Sequence, residues 1–439
     1  MGVEFQIKER LRTVGYAAIF RGRLAQNVFM NYLSVLWLGG MTLLLIPRYT
    51  QLLGAQQWGI VAVSISLQGF MTLLDAGLAQ IMPRDIAKTS ENPEVVSRIF
   101  HVFARAYLIL AFTGFVIGQL AAPWFGQYWL KATPETVSDA TIALRLVLLQ
   151  FLFQFTNNAH IGYWNGVQAQ VTANIRQCVF ATAKHAGAIA LIVWWKHAAI
   201  AYLLSFAFFS AIEYLSNRHA VVRSLHNAGQ STIVTKEELV SLARETGVLA
   251  AGVVLGMLVS QVDRIILSGN VSLAAFGRYV VVANLGLAFL QLQYPLVRAF
   301  QPRLVTAQTD VSSKAYWQLG FSILLLCILP CVVVGVLTPL ILHLWIGDPV
   351  TVEQGTLPLR LILASVALNG LYQIIYQQMI IKGSAGMIFK INFLVIIIIV
   401  PLAMLAVRWY GIAGGGIVWL SVSILQILLG FTSVKMSRK

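Results

Sequence analysis

The chain has 439 residues, 58% of them hydrophobic and 11% charged, with a mean hydropathy of +0.77. Soluble domains carry about 25% charged residues, so a soluble enzyme or scaffold is excluded and a polytopic membrane protein is expected. The formal net charge of +15 would suggest nucleic acid in a soluble chain, but in a membrane chain basic residues report topology, and no nucleic-acid partner is expected.

Windows of about 20 apolar residues, each bounded by charge, Pro, Gly or Trp, predict twelve transmembrane helices. Residues 1–23 form a basic N-terminal segment in which Phe5, Ile7, Leu11, Val14 and Ala18 are spaced among Lys and Arg. That pattern suits an amphipathic helix on an anionic leaflet, or a solvated tail; no secretory signal is read there. Six spans follow at 24–46, 57–81, 99–121, 138–165, 172–194 and 198–217, an N-terminal lobe over 24–217. A polar linker at 218–244 leads to spans at 245–267, 276–298, 316–345, 358–381, 387–407 and 411–432, a C-terminal lobe over 245–432. A basic tail closes the chain at 433–439. Long apolar runs rather than alternating dyads exclude an outer-membrane barrel.

With twelve spans both termini share a side, and most of the 31 Lys and Arg fall on it. The opposite loops hold one each: Arg48, Lys131, Lys196, Arg278, Arg360 and Arg408. By the positive-inside rule both termini are cytoplasmic. Cys178, Cys327 and Cys331 all lie in predicted spans, with no disulfide framework and no metal spacing.

The halves echo each other. Trp58-Gly59 opens an apolar stretch that ends at Pro83-Arg84, and Phe276-Gly277 opens another that ends at Pro302-Arg303. The offsets agree: 48 to 264 is 216, 59 to 277 is 218, 84 to 303 is 219, and Asn174 to Asn392 is again 218. Punctuation that survives while the apolar filling drifts indicates two structurally similar halves, the usual construction of secondary transporters.

Catalysis is not expected. The outer loops are short, and the chain has no Walker loop, no dinucleotide fingerprint, no HExxH and no Ser/His/Asp set. Its seven His are scattered without metal spacing, so neither a metal nor another cofactor is expected. Driving force would come from a gradient of H⁺ or Na⁺, or from substrate supply.

Ionisable groups inside spans are therefore the candidate site, since each costs about 2.5–3.5 kcal/mol to insert. Lys184, beside His185, lies about 18 Å along span 5, near the midplane. Arg145 in span 4 and Arg105 in span 3 are shallower, and the three together would make a positive cavity suited to pyrophosphate; snorkelling or ion pairing is the alternative. Asp75, Glu213 and Asp263 are candidates for binding a coupling H⁺ or Na⁺, or else for ion pairs, Asp75 being level with Arg105. Asn157 and Asn158 in span 4, and Tyr376 and Gln377 in span 10, offer amides and rings to sugar hydroxyls and faces; the same groups would serve helix-to-helix hydrogen bonding.

The run IPRYTQLLGAQQWGIVAVSISLQGFMTLLDAGLAQIMPRDIAK, from Ile46 to Lys88, resembles the opening of polysaccharide flippases: Pro, then LLG, then aromatic-Gly, then LLD-x-GL, then Arg. QVDRIILS, from Gln261 to Ser268, with Gly277-Arg278-Tyr279, resembles the start of that family's second half. The chain thus resembles the Wzx-type O-antigen flippases of the multidrug/oligosaccharidyl-lipid/polysaccharide exporter superfamily. The resemblance implies an all-α protein of two pseudo-repeated six-helix lobes around a central cationic cavity, in the bacterial inner membrane. It also implies the cargo, an undecaprenyl-pyrophosphate-linked oligosaccharide moved from the cytoplasmic to the periplasmic leaflet by alternating access. Membrane lipid, a polysaccharide polymerase and chain-length machinery are the partners it implies. A multidrug or metabolite antiporter of the same superfamily is the alternative, and an integral-membrane sugar-transferring enzyme the third.

Overall fold

The computed structural model describes residues 2–71, 75, 78–130, 137–195, 198–225, 234–293, 296–297, 300, 309–381 and 385–436. Side chains at 2–25, 243–253 and 309–315 lie outside that description, as do the Pro302-Arg303 pair and Lys131. The basic segment at 1–23 therefore has a helical backbone from Gly2 onward, and its amphipathic face is not among the described side chains.

Helix α1 runs Gly2–Met71 but is two limbs joined at Gly54, where φ is +71° and ψ 168°. A left-handed φ costs a non-Gly residue strain that glycine avoids. The limbs run in opposite directions, as their partners show. Asn27, Ser34 and Tyr49 on the first limb bond Gln168, Asn174 and His185 in turn. Gln57, Gln68 and Asp75, on and just beyond the second limb, bond Asp139, Gln150 and Asn158. Apart from Gln168, these partners lie on α4 (Val137–Gly166) and α5 (Gln170–Trp194), which the tight turn at Gln168, φ +59°, folds back on each other.

Between these elements lie α2 (Leu78–Lys88) and α3 (Pro93–Trp124), the latter extended by a π turn at Phe125–Trp129. Asn92 caps α3 by accepting from the backbone N–H groups of Glu94 and Val95, with Pro93 at the first helical position, where it has no bond to lose. Helix α6 (Ala198–Leu225) completes the first lobe.

The second lobe begins with α7 (Lys236–Val259), started by a capping box between Thr235 and Glu238. A break at Ser260-Gln261 leads into α8 (Val262–Asn270), then α9 (Leu273–Ala288) and a 3₁₀ turn at Phe289–Leu292. Helix α10 (Thr309–Ile323), a π turn at Leu324–Ile328, α11 (Leu329–Val336) and α12 (Thr338–Trp345) follow. The chain ends with α13 (Pro349–Ile381), α14 (Ala385–Tyr410) and α15 (Ala413–Met436).

Among the described residues ten helical stretches are long and apolar enough to cross a membrane. Two of the expected spans share one of these, Phe29–Gly69, whose 41 residues would reach about 60 Å if straight, twice a bilayer core, and so need the reversal at Gly54. The expected span at 245–267 is divided by the Ser260-Gln261 break.

The repeat has a physical meaning. Its two aromatic-glycine pairs pack against each other across the lobes. A Cβ on Gly59 would meet the Leu273 carbonyl oxygen at 2.1 Å, and one on Gly277 would meet the Trp58 ring at 2.9 Å and the Gly59 backbone at 3.1 Å. Only backbones without side chains approach so closely in a membrane bundle. Three indole N–H groups then cross the same seam: Trp58 to the Gly277 carbonyl, Trp129 to Ser268 Oγ and Trp345 to the Leu43 carbonyl, each at 3.1 Å. The equivalent asparagines also behave alike. Asn174 is bonded to Ser34 on α1, and Asn392 lies 3.4 Å from the Cβ position of Gly256 on α7, so each faces the first helix of its own lobe.

The expectation that each repeat stretch is one unbroken helix halted at Pro-Arg is corrected. The first copy is α-helical up to Met71 and again from Leu78, with a 3₁₀ residue at Asp75 between them and Pro83 inside α2 rather than ending it; residues 72–74 and 76–77 lie outside the description. The second unwinds into the Phe289–Leu292 turn, directly before Gln293. Asp75 and Gln293 are 218 apart, so both lobes break their second membrane crossing at the same place.

At the end of the bundle that carries the termini, one bridge joins α3 to α7. Arg98 Nε and Nη2 donate to the two Glu238 carboxylate oxygens at 2.7 and 2.6 Å. The Thr235 backbone N–H, ahead of the Arg98 contact, holds the Glu238 carboxyl below its ordinary range. The bridge's contribution is therefore full above the free glutamate pKa and is lost as pH falls through the lowered value. With both side chains about 30% exposed, it amounts to at most about 1 kcal/mol. Spin labels flanking this end should report wider, broader separations once the pH is taken below the lowered Glu238 value than at pH 7, and Glu238→Gln should abolish that difference.

Candidate functional site

Lys184 is not a free midplane cation. Its Nζ donates to Glu213 Oε2 at 2.7 Å, and both residues are buried. Glu213 Oε1 accepts from Asn157, whose own carbonyl accepts from Asn217, which in turn accepts from Arg176 at 2.6 Å. One chain of hydrogen bonds, charged at both ends and neutral between Asn217 and Asn157, thus ties α4, α5 and α6 together inside the first lobe. An ion pair this deep is held by its geometry, since desolvation offsets most of the Coulomb attraction. His185 turns the other way and bonds the Tyr49 hydroxyl on α1 at 2.9 Å.

The three expected cations do not converge. Arg105 is exposed on the side of α3 opposite Phe103 and Tyr107, which pack inward. Arg145 is also exposed, on the stripe of α4 that carries Ile142. Gln119 of α3 donates to the Arg145 carbonyl, so Arg145 stands level with residue 119 and about 20 Å from Arg105 along the bundle. The single cluster of Lys184, Arg145 and Arg105 is thereby corrected: matching depth did not mean matching direction around the helix.

Asp75 is not paired with Arg105 in the structure. Its carboxylate accepts from the Tyr107 hydroxyl at 2.5 Å and from Asn158 Nδ2 at 2.8 Å, so it lies in the helix break, held by α3 and α4. Asp263 is buried at the start of α8 and accepts from the Tyr279 hydroxyl, while its neighbour Arg264 donates to Asn284 at 2.8 Å.

The second lobe is arranged differently. Gln293, at the pseudo-equivalent of Asp75, donates from Nε2 to the Val366 carbonyl, and its buried Oε1 has no partner among the described residues. Gln377 Oε1, Tyr372 Oη and Gln261 Oε1 are likewise buried and make no hydrogen bond among the described residues. Gln261 stands at the α7–α8 break against Gly69 of the other lobe. Buried polar atoms without partners cost about 1–3 kcal/mol each; six of the eight found among the described residues lie in the second lobe, the other two being His160 Nδ1 and Ser210 Oγ. Asn157, Asn158 and His185 are occupied internally, whereas Gln377 is not; Tyr376 packs its ring against Tyr372 at 6.0 Å. Gln293 and Gln261 were not among the residues expected from sequence, though the 218-residue offset from Asp75 points to the first. Among the described residues no three His, Cys, Asp or Glu are placed to hold a metal ion.

The model of the family described as "Polysaccharide biosynthesis protein" matches residues 24–308. A Shigella flexneri protein named "Putative O-antigen transporter" is 22% identical over 403 residues, covering 88% of this chain and 93% of that protein. Among solved structures, an inward-facing multidrug resistance MATE family transporter of the MOP superfamily superposes with a TM-score of 0.68 at 13% identity, over 92% of this chain and 94% of that one. Lipid II flippase MurJ, in an inward closed conformation, superposes with a TM-score of 0.66 at 11% identity, over 93% and 87%. The fold is that of these transporters.

Proposed function

This chain belongs to the polysaccharide biosynthesis protein family, and from that membership we propose that it flips an undecaprenyl-pyrophosphate-linked oligosaccharide from the cytoplasmic to the periplasmic leaflet. The lobes would rock about the seam at Gly59 and Gly277, alternately exposing the space between them. With both termini read as cytoplasmic from the basic residues on their side, the seam would close the periplasmic end.

The observation that carries this reading is the matched pair of broken helices, one in each lobe, with partnerless amides on the second. Discontinuous helices at corresponding positions of two halves are where secondary transporters bind their cargo. Gln293, Gln377 and Gln261 would bond sugar hydroxyls, and Asp75 in the opposite break would take up the coupling H⁺ or Na⁺. Arg105 and Arg145, exposed within apolar helices at levels about 20 Å apart, are proposed as separate, successive contacts for a phosphate along the route, in place of Lys184.

Gln377→Met tests the sugar role. Removing a partnerless buried amide should leave thermal stability unchanged or raised, while surface glycan in a deletion strain falls severalfold at matched protein level. Full glycan with this variant would remove Gln377 from the site. Drug resistance restored by the unaltered chain with no effect on surface glycan would favour an antiporter instead.

A further inference from the structure

Between the lobes, within a helical turn of the Gly69–Gln261 contact, lies an open-sided cavity of about 570 Å³. The second limb of α1, α3 with its π turn, and α4 wall it from the first lobe, and α8 from the second. Its lining is apolar apart from two hydroxyls and one guanidinium. Ser66 Oγ donates to the Ala62 carbonyl, and Ser268 Oγ donates to the Ile265 carbonyl while accepting from Trp129, so neither hydroxyl is on offer. Arg264 is different. A guanidinium carries five N–H donors, and one of Arg264's goes to Asn284. The neighbouring Asp263 carboxylate is bonded to Tyr279 and does not line the cavity.

Ile117 and Trp124 line the cavity and are also exposed, 63% and 52%, on the apolar outer surface of α3, so its mouth faces lipid. In volume it is about four times the roughly 150 Å³ hole that accepts one benzene, room for roughly 20 carbons. That accommodates one chain and not the two of a glycerophospholipid. A single chain bonded directly to a phosphate matches the contiguity of apolar wall and lone cation, and the flat rings of Trp124, Phe125 and Trp129 suit stacked alkenes.

We propose that this cavity holds the first isoprenyl units of a polyprenyl phosphate, with the phosphate on Arg264. The proposal rests on the transport reading above and adds a tail site to it. Because both lobes wall the cavity, an occupied tail site would be disturbed each time the lobes separate.

The test is native mass spectrometry of the purified full chain titrated with undecaprenyl phosphate. Ala121→Phe, which fills the cavity, and Arg264→Gln should each weaken binding at least tenfold, and Arg408→Gln on α14 should leave it unchanged. Phosphatidylglycerol should bind at least tenfold more weakly than the prenyl phosphate and be insensitive to Ala121→Phe. Unaltered prenyl phosphate binding by Arg264→Gln overturns the proposal, even if Ala121→Phe fails to fold. Equal affinity for phosphatidylglycerol overturns it too, making the cavity a general lipid site. The probe carries no sugar and the readout is binding, so either failure leaves glycan export intact. Loss of the transport reading would show instead as a deletion strain whose surface glycan does not depend on this chain.

Discussion

Lys184→Met is expected to destabilise the protein by about 3–5 kcal/mol, because it strands the Glu213 carboxylate in the interior of the first lobe. Asn157 would be left as that charge's remaining neutral donor, which does not replace an ammonium. The double variant Lys184→Met with Glu213→Leu should recover most of the loss, since removing a buried pair together is often neutral. Thermal unfolding in detergent reads the stability, and surface glycan in a deletion strain reads the function. If Lys184 serves only its own lobe, the double variant regains both. A double variant that folds but exports no glycan would return Lys184 to the cargo site.

Gly59→Leu is expected to abolish transport by a different route. The new Cβ would stand 2.1 Å from the Leu273 carbonyl oxygen and 2.5 Å from its carbon, and these are backbone atoms with no rotamer to yield. The lobes must part at that end. Each keeps a core of its own, around Phe100, Tyr107 and Phe155 in the first and around Val259, Ile399 and Val422 in the second, so the protein should still fold. Spin-label pairs spanning the seam should show the separated population dominant in Gly59→Leu. Gly277→Ala, which meets a movable Trp58 ring, should show a smaller shift in the same direction. A seam that stays closed in Gly59→Leu would mean that the lobes do not pivot there.

Depth was legible in the sequence, and azimuth was not. Counting residues placed Lys184 near the midplane, where the structure has it buried. The same counting matched Asp75 to Arg105, yet Arg105 lies on the exposed side of α3 while Tyr107, two residues on, reaches the carboxylate. Two residues along a helix turn the side chain through about 200°, and which face turns inward is decided by tertiary packing. The partnership of Lys184 with Glu213 was hidden for the same reason, being made across two helices.

The repeat was readable because its aromatic-glycine pairs have a job that only they can do, the backbone crossing between lobes. The breaks were half-readable. Gly77 follows Asp75 closely and Pro295 follows Gln293, both of them residues that interrupt helices, but the apolar windows run straight through them. Window averaging reports solubility in lipid and is blind to where a helix unwinds. It did separate the two limbs of α1, at 24–46 and 57–81, with the reversal at Gly54 falling between them.

The pairing of Asp75 with Gln293 has a final consequence. Duplication produced two arms, but a protonatable group sits at the break of one arm and a neutral amide at the same point of the other. With Asp75 as the proposed ion site and Gln293 as the proposed cargo contact, the stroke would be lopsided by construction: one break would answer to the ion, and the other to whatever is being carried.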